Sequence, residues 1–247
     1  MDIFDSWLVN TPIAHRGFFN YSDAPENSLK AFERAIEKGY AIELDIHVTV
    51  DNSIVVFHDN QLSRMTGKDG YTKNLTKEQI KEYTLGNSDQ TIPTLQEVFD
   101  LVKGRTPILI EIKGESTKIG INEVEILKVL KEYDGPIALQ SFNPLIMEWF
   151  KNNAPEYTRG ILSSCFTKDD KNRPKSWIKR FVLKRMLFNK QVQPHFIAYN
   201  VKDIPNRFVK KYKNIPLLGW TVTSQEQYLD AVKKLDNIIF QDFEPKI

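Results

Sequence analysis

Cysteine is almost absent from this sequence. Cys165 is the only one, so no disulfide can form within the chain, and a reducing compartment suits it. No apolar run approaches the roughly 18 residues of a membrane span. Met1 to Asn10 carry two aspartates and no basic residue, which is the wrong order of charge for a secretory leader. These absences point to a soluble, cytoplasmic protein. Net charge is scarce as well: a formal +2 makes no global demand for nucleic acid or a membrane. Internal repeats and low-complexity tracts are lacking.

What is present is enough for one substantial core. A chain of 247 residues, 41% hydrophobic and 27% charged, predicts a single domain over residues 1–247. Strands are expected near Thr11–His15, Ala41–Val48, Ile108–Lys113, Pro136–Gln140, Thr158–Leu162, Phe196–Asn200, Leu217–Thr221 and Asn237–Gln241. Helix-period segments fall near Ser28–Lys38, Leu95–Val102, Asn122–Glu132, Pro144–Asn153, Lys175–Phe188, Pro205–Tyr212 and Gln225–Leu235. Such alternation predicts the α/β class, and this many strands in this length predict a (β/α)8 TIM barrel. After strand two come Asp51-Asn52 and a second apolar run, Ile54–Phe57. A polar stretch follows, giving a small insertion over about residues 59–93 that looks too poor in apolar residues for a core of its own.

Polar clusters sit where strands end: His15-Arg16-Gly17, Glu43-Leu44-Asp45, His58-Asp59 and Glu111-Ile112-Lys113. Strand residues two apart share a face, so Glu43 pairs in direction with Asp45, and Glu111 with Lys113. Three carboxylates converging at a barrel mouth call for a cation or for raised pKa values. Hard oxygen ligands favour one divalent ion, Mg2+ or Ca2+, over zinc. Arg16 and Lys113 can grip phosphate oxygens. His15 and His58 can serve as base and acid in phosphodiester cleavage, because a free imidazole, with a pKa of about 6.5, does both near neutral pH.

The ordered set His15-Arg16-Gly17, Pro25-Glu26-Asn27-Ser28, Glu43-x-Asp45, His58-Asp59, Pro93-Thr94-Leu95, Glu111-x-Lys113 and Trp220-Thr221-Val222 resembles glycerophosphodiester phosphodiesterases over nearly the whole chain. The resemblance implies a Ca2+- or Mg2+-dependent hydrolase that releases sn-glycerol 3-phosphate and an alcohol. Glu43, Asp45 and Glu111 then match the metal ligands, and His15 and His58 the catalytic pair. It also implies attack by a glycerol hydroxyl to form a cyclic phosphate, with His58 as first base and His15 as acid, before water opens the ring with the roles reversed. Two departures are Ser28 in place of threonine and Gln241-Asp242 in place of threonine–aspartate.

Other readings stand beside these. Glu111 and Lys113 can form a buried ion pair with each other. Pro25-Glu26-Asn27-Ser28 is a helix start capped by Asn27 or Ser28, and Glu26 can orient Arg16. Glu26, Asn27, Gln140 and Trp220 are candidates for substrate binding, with Trp220 lining a glycerol pocket or packing in the barrel. His47 reads as a supporting hydrogen-bonding residue and His195 as structural. Lys168–Lys190 is strongly basic with interleaved apolar residues. It is either an outer-barrel helix with a basic face or an interfacial helix that docks on anionic lipid or polymer. A phospholipase D-like or phosphatidylinositol-specific lipase on the same barrel is the rival within catalysis. A non-catalytic binder of phosphate or nucleic acid is the rival outside it, although nucleic acid is not the expected partner.

Overall fold

The structure is a computed structural model that describes residues 2–114, 117–168 and 173–246. The elements run α1 (Trp7–Asn10), β1 (Ile13–Ala14), α2 (Leu29–Glu37), β2 (Ala41–Val48), β3 (Ile54–Val56), α3 (Ser63–Thr66), α4 (Lys77–Ile80), α5 (Leu95–Val102), β4 (Ile108–Ile112), α6 (Asn122–Leu130), β5 (Ile137–Ser141), α7 (Pro144–Asn153), β6 (Thr158–Ser163), α8 (Trp177–Lys184), α9 (Asn189–Val192), β7 (Phe196–Asn200), β8 (Leu217–Val222), α10 (Gln225–Ala231) and β9 (Asn237–Phe240). This βα alternation is that of the (β/α)8 barrel, with β3 as an added antiparallel strand. Contacts divide the chain into two compact units.

In the unit Ile13–Ala138, β2 runs parallel to both β1 and β4, with Ala41 opposite Ile13 and Asp45 opposite Glu111. β2 is buried along almost all of its length, which is why it reads as a nearly continuous apolar run broken by carboxylates. Past Val48 the chain folds back. Asn52 takes a left-handed φ of 63°, Thr49 N–H donates to the Ser53 carbonyl, and β3 pairs with the end of β2, Ile46 opposite Val56. The insertion packs its few apolar residues against β3 and not on a core of its own. Leu62, Ile80, Leu85 and Ile92 are buried against Val55 and Phe57, so a few well-spaced apolar residues suffice once β3 supplies the other wall.

The turn after β1 depends on glycine. Gly17 has φ of 82°, and a Cβ there would lie 2.9 Å from both the Ala31 carbonyl carbon and Phe32 Cδ1. The turn therefore packs directly on α2. Of the two candidate caps of that helix, Ser28 is the one used: its hydroxyl accepts the Ala31 N–H at 3.1 Å.

The other unit comprises the residues to Pro12 together with those from Leu139. Its strands β6, β7, β8 and β9 form a parallel ladder. The Asn237 amide donates to the Leu8 and Thr11 carbonyls at 2.8 and 2.7 Å, which ties α1 to β9. α7 starts with Asn143 as cap and Pro144 in its first turn, and buries Ile146, Met147 and Phe150. Two expected helices differ. The segment Lys175–Phe188 is helical only over Trp177–Lys184, because α8 ends there and Met186 turns the chain with φ of 52° to bury its side chain beside Tyr199 and Val209. Pro205–Tyr212 forms turns instead of a helix. The Asn206 side chain accepts the N–H groups of Phe208 and Val209, closing one turn from which Phe208 and Tyr212 pack on the Met186 cluster.

Candidate active site

Strand register assembles the acidic residues. Asp45 and Glu111 are partners on adjacent parallel strands, and Glu43 lies two residues before Asp45 on the same face. One carboxylate oxygen of each of the three falls within 4.8 Å of the others, and all three side chains are buried. Lys113 extends the β4 ladder by donating its N–H to the Ile46 carbonyl. Its Nζ then stands 2.8 Å from Asp45 Oδ1 and 2.6 Å from Glu111 Oε1. The ion pair with Glu111 thus exists, and it includes Asp45.

The electrostatics follow from burial with unequal neighbours. Burial raises the Glu43 carboxyl well above its usual range, and Asp45 and Glu111 add to this against Arg16 and Lys113. Burial acts on Asp45 in the same direction, yet Lys113, His58, Arg16 and His15 together hold it well below the usual range. Glu111 is raised by burial, which the nearby Lys113 only partly offsets. Lys113 itself is desolvated, and the Asp45 and Glu111 carboxylates still keep it more basic than usual. The cluster is short of positive charge. Three convergent hard oxygens with that shortage are a donor set that fits a divalent cation.

The turn after β1 closes one side. Arg16, held at φ of 58°, donates its N–H to Glu43 Oε2 at 3.0 Å, and His15 Nε2 lies 3.9 Å from the same oxygen. Arg16 Nε is 3.4 Å from Asp45 Oδ2, and its guanidinium donates to Glu26 Oε1 at 2.8 Å. Asn27 donates its N–H to the Arg16 carbonyl and its side-chain amide to Asp45 Oδ2 at 2.9 Å. Glu26 therefore contacts Arg16, as the sequence suggested, while the Asn27 amide is engaged by a carboxylate.

His58 stands at the end of β3 and donates Nδ1–H to Asp59 Oδ1 at 2.7 Å. That bond leaves Nε2 as the proton-accepting nitrogen of the neutral ring. Burial acts to raise Asp59, but His58 and Arg64 hold its carboxyl far below the ordinary range, so it remains an acceptor. Arg64 Nε pairs with Asp59 Oδ2, and Arg64 also donates to both Glu26 oxygens at 2.6 and 2.9 Å. One chain of contacts thus runs Arg16–Glu26–Arg64–Asp59–His58. Sequence reasoning named Asp59 in the His58-Asp59 cluster without giving it a role, and passed over Arg64. Adjacency to His58 was the available signal for Asp59, whereas Arg64 is 38 positions from Glu26 and carried none. His47 donates Nε2–H to the His58 carbonyl at 3.2 Å, and burial lowers its pKa to about 4.

Gln140 and Trp220 belong to the other unit. Gln140 is buried on β5, and Trp220 on β8 has its ring 5.5 Å from that of Phe142, edge to face. His195 there accepts the Arg159 N–H on Nδ1 at 3.0 Å and returns its own N–H to the Arg159 carbonyl, a local structural pairing.

The model of the Glycerophosphoryl diester phosphodiesterase family matches residues 15–241. The chain belongs to that family. A member from Caldanaerobacter subterraneus, a glycerophosphodiester phosphodiesterase, is 32% identical over 249 residues, covering 95% of each chain. Human glycerophosphodiester phosphodiesterase 1 is 29% identical over 94% of this chain and 79% of its own. Among solved structures of the same barrel fold is an Oleispira antarctica phosphodiesterase in complex with the product sn-glycerol-3-phosphate. It has a TM-score of 0.76 at 24% identity, covering 95% of this chain and 94% of that one. A glycerophosphodiester phosphodiesterase from Thermotoga maritima has a TM-score of 0.70 at 25% identity, covering 93% and 94%. The family match contains His15, Arg16, Glu43, Asp45, His58, Glu111 and Lys113.

Proposed function

We propose that the chain hydrolyses glycerophosphodiesters to sn-glycerol 3-phosphate and an alcohol, with Glu43, Asp45 and Glu111 holding one divalent cation, Mg2+ or Ca2+. The observation that carries this reading is the buried, charge-deficient carboxylate triad flanked by two histidines in a member of the family. When bound, the cation offsets charge on the phosphate oxygens. Arg16 and Lys113 add fixed positive charge beside it, so a phosphodiester anion is drawn to the carboxylate face despite its own sign.

His58 Nε2 takes the proton of the attacking glycerol hydroxyl as the new O–P bond forms. His15 gives a proton to the departing alkoxide as the old O–P bond breaks, leaving a cyclic phosphate. Water then opens the ring: His15 accepts its proton and His58 returns one to the glycerol oxygen. Asp59 fixes the His58 tautomer and steadies its cationic form, as an orienting carboxylate does.

Release of glycerol 3-phosphate from a panel of glycerophosphodiesters, with and without chelator, tests the reading. Turnover that chelator abolishes and Mg2+ or Ca2+ restores is expected. Chelator-insensitive turnover removes the cation from the mechanism, and turnover of lysophospholipid alone replaces the substrate class.

A further inference from the structure

In the unit from Leu139 onward, two stretches distant in sequence meet around Met186. Residues 173–195 hold seven lysines and arginines, and residues 204–216 add Arg207, Lys210, Lys211 and Lys213. Neither stretch contains an aspartate or glutamate. They are joined by the Arg185 guanidinium, 5.4 Å from the Phe208 ring centre, by Lys211 Nζ donating to the Arg185 carbonyl, and by the Tyr212 hydroxyl donating to the Met186 carbonyl. The whole chain has a formal charge of only +2, so its remaining residues carry nine more acidic than basic side chains. Positive charge is gathered in these two stretches. Lys168 lies before them, and Asp169, Asp170 and Lys171 of the basic segment fall outside the described residues.

The same region leaves apolar surface in water. α8 buries none of its eight residues, and Trp177, Ile178 and Phe181 are 68%, 57% and 45% exposed. At helical spacing these three project from one side. Leu187, in the turn that follows, is 51% exposed. The helix is anchored by Ser163 Oγ, at the end of β6, which donates to the Leu183 carbonyl at 3.0 Å. Beside Leu187 opens a hollow of about 510 Å3 lined also by Lys190, Lys211 and Tyr212. An outer-barrel helix buries its apolar stripe, as α7 does. α8 leaves its own uncovered, among cations.

We propose that this two-segment face docks the protein on an anionic phospholipid membrane. α8 lies in the plane of the interface with Trp177, Ile178 and Phe181 entering the headgroup layer, and the lysines of both stretches meet lipid phosphates. Charge complementarity selects an anionic partner. The exposed aliphatic and aromatic side chains select a lipid over a purely polar polyanion, which has no place to bury Ile178 and Leu187.

The test sediments the full chain with phosphatidylcholine vesicles, with and without phosphatidylglycerol, at low and high salt, while tryptophan emission is followed. Binding is expected only with phosphatidylglycerol, weakened by salt, and accompanied by a blue shift that Trp177→Phe removes. Lys179→Gln and Lys210→Gln each weaken it roughly fivefold. Trp177→Ala combined with Phe181→Ala weakens it about tenfold or more. Lys210 lies outside α8, so its effect reports on the joined face. Thermal unfolding of each variant confirms that these exposed changes leave the fold intact.

Absence of binding to phosphatidylglycerol vesicles at low salt overturns the proposal. So does binding that salt abolishes and the double variant leaves unchanged, the behaviour of a general polyanion site. Self-association without vesicles that the double variant abolishes assigns the face to a second copy of the chain instead.

Discussion

Two charged regions of this chain follow opposite rules. Around β2 and β4, carboxylates and cations are buried, and Lys113 sits between Asp45 and Glu111. In residues 173–195 and 204–216, charges of one sign stand together with Trp177 and Ile178 exposed among them. Buried charge must be balanced inside the fold or by a bound ion, because solvation is lost there. Exposed charge meets no such demand, so its imbalance concerns what lies outside the molecule.

The inner balance breaks most visibly in activity. His58→Ala is expected to lower kcat about 10²–10⁴-fold in a glycerol 3-phosphate release assay; an unchanged kcat would free His58 from acid–base duty. Lys113→Met leaves two buried carboxylates without their ammonium. In chelator, urea unfolding should show a loss of about 3–5 kcal/mol, part of it recovered by added Mg2+ or Ca2+. Equal stability in chelator would mean that Lys113 balances nothing. Arg64→Lys retains the charge but cannot bridge Glu26 and Asp59 in the same fork, so kcat should fall about 10–100-fold with KM little changed.

The unit from Leu139 onward should respond weakly. Partial burial and the Arg159 charge lower the pKa of His195. The unfolded chain takes up that proton near pH 6.5, the folded one only at lower pH, so stability declines as the pH falls through that interval. His195→Asn keeps an acceptor for the Arg159 N–H and should flatten this decline in urea titrations. Smallest of all, Lys179→Glu on the exposed face of α8 should change stability by no more than about 0.5 kcal/mol. A larger loss there would show that the surface charges are balanced within the fold after all.

The sequence made some elements legible to the residue. Ala41–Val48, Leu95–Val102 and Pro144–Asn153 match because their signals are local: a buried β-branched run, the Thr94/Glu97 capping box, and Asn143-Pro144 at a helix start. The convergence of Glu43, Asp45 and Glu111 was also readable, since strand parity is a local property. What escaped depends on distant pairs. Arg64 gains its place from Glu26 and Asp59, the insertion packs on Val55 and Phe57, and the basic face needs residues 204–216 to lie against Met186. Pro205–Tyr212 misled because its apolar spacing is helical, while the Asn206 side chain closes a single turn.

The pairing of Asp45 with Glu111 also sets where the chain can change length. A single residue inserted or lost within β2 or β4 would turn every later side chain of that strand to the opposite face, sending a carboxylate out of the cluster in one step. A change of the same size in the mostly exposed turns of residues 67–70 or 86–90, clear of Asp59 and Arg64, alters only a loop outline. Length variation within the lineage should therefore collect in the insertion and avoid the two strands, so that gaps in an alignment of relatives would outline the site as well as the identity of its residues does.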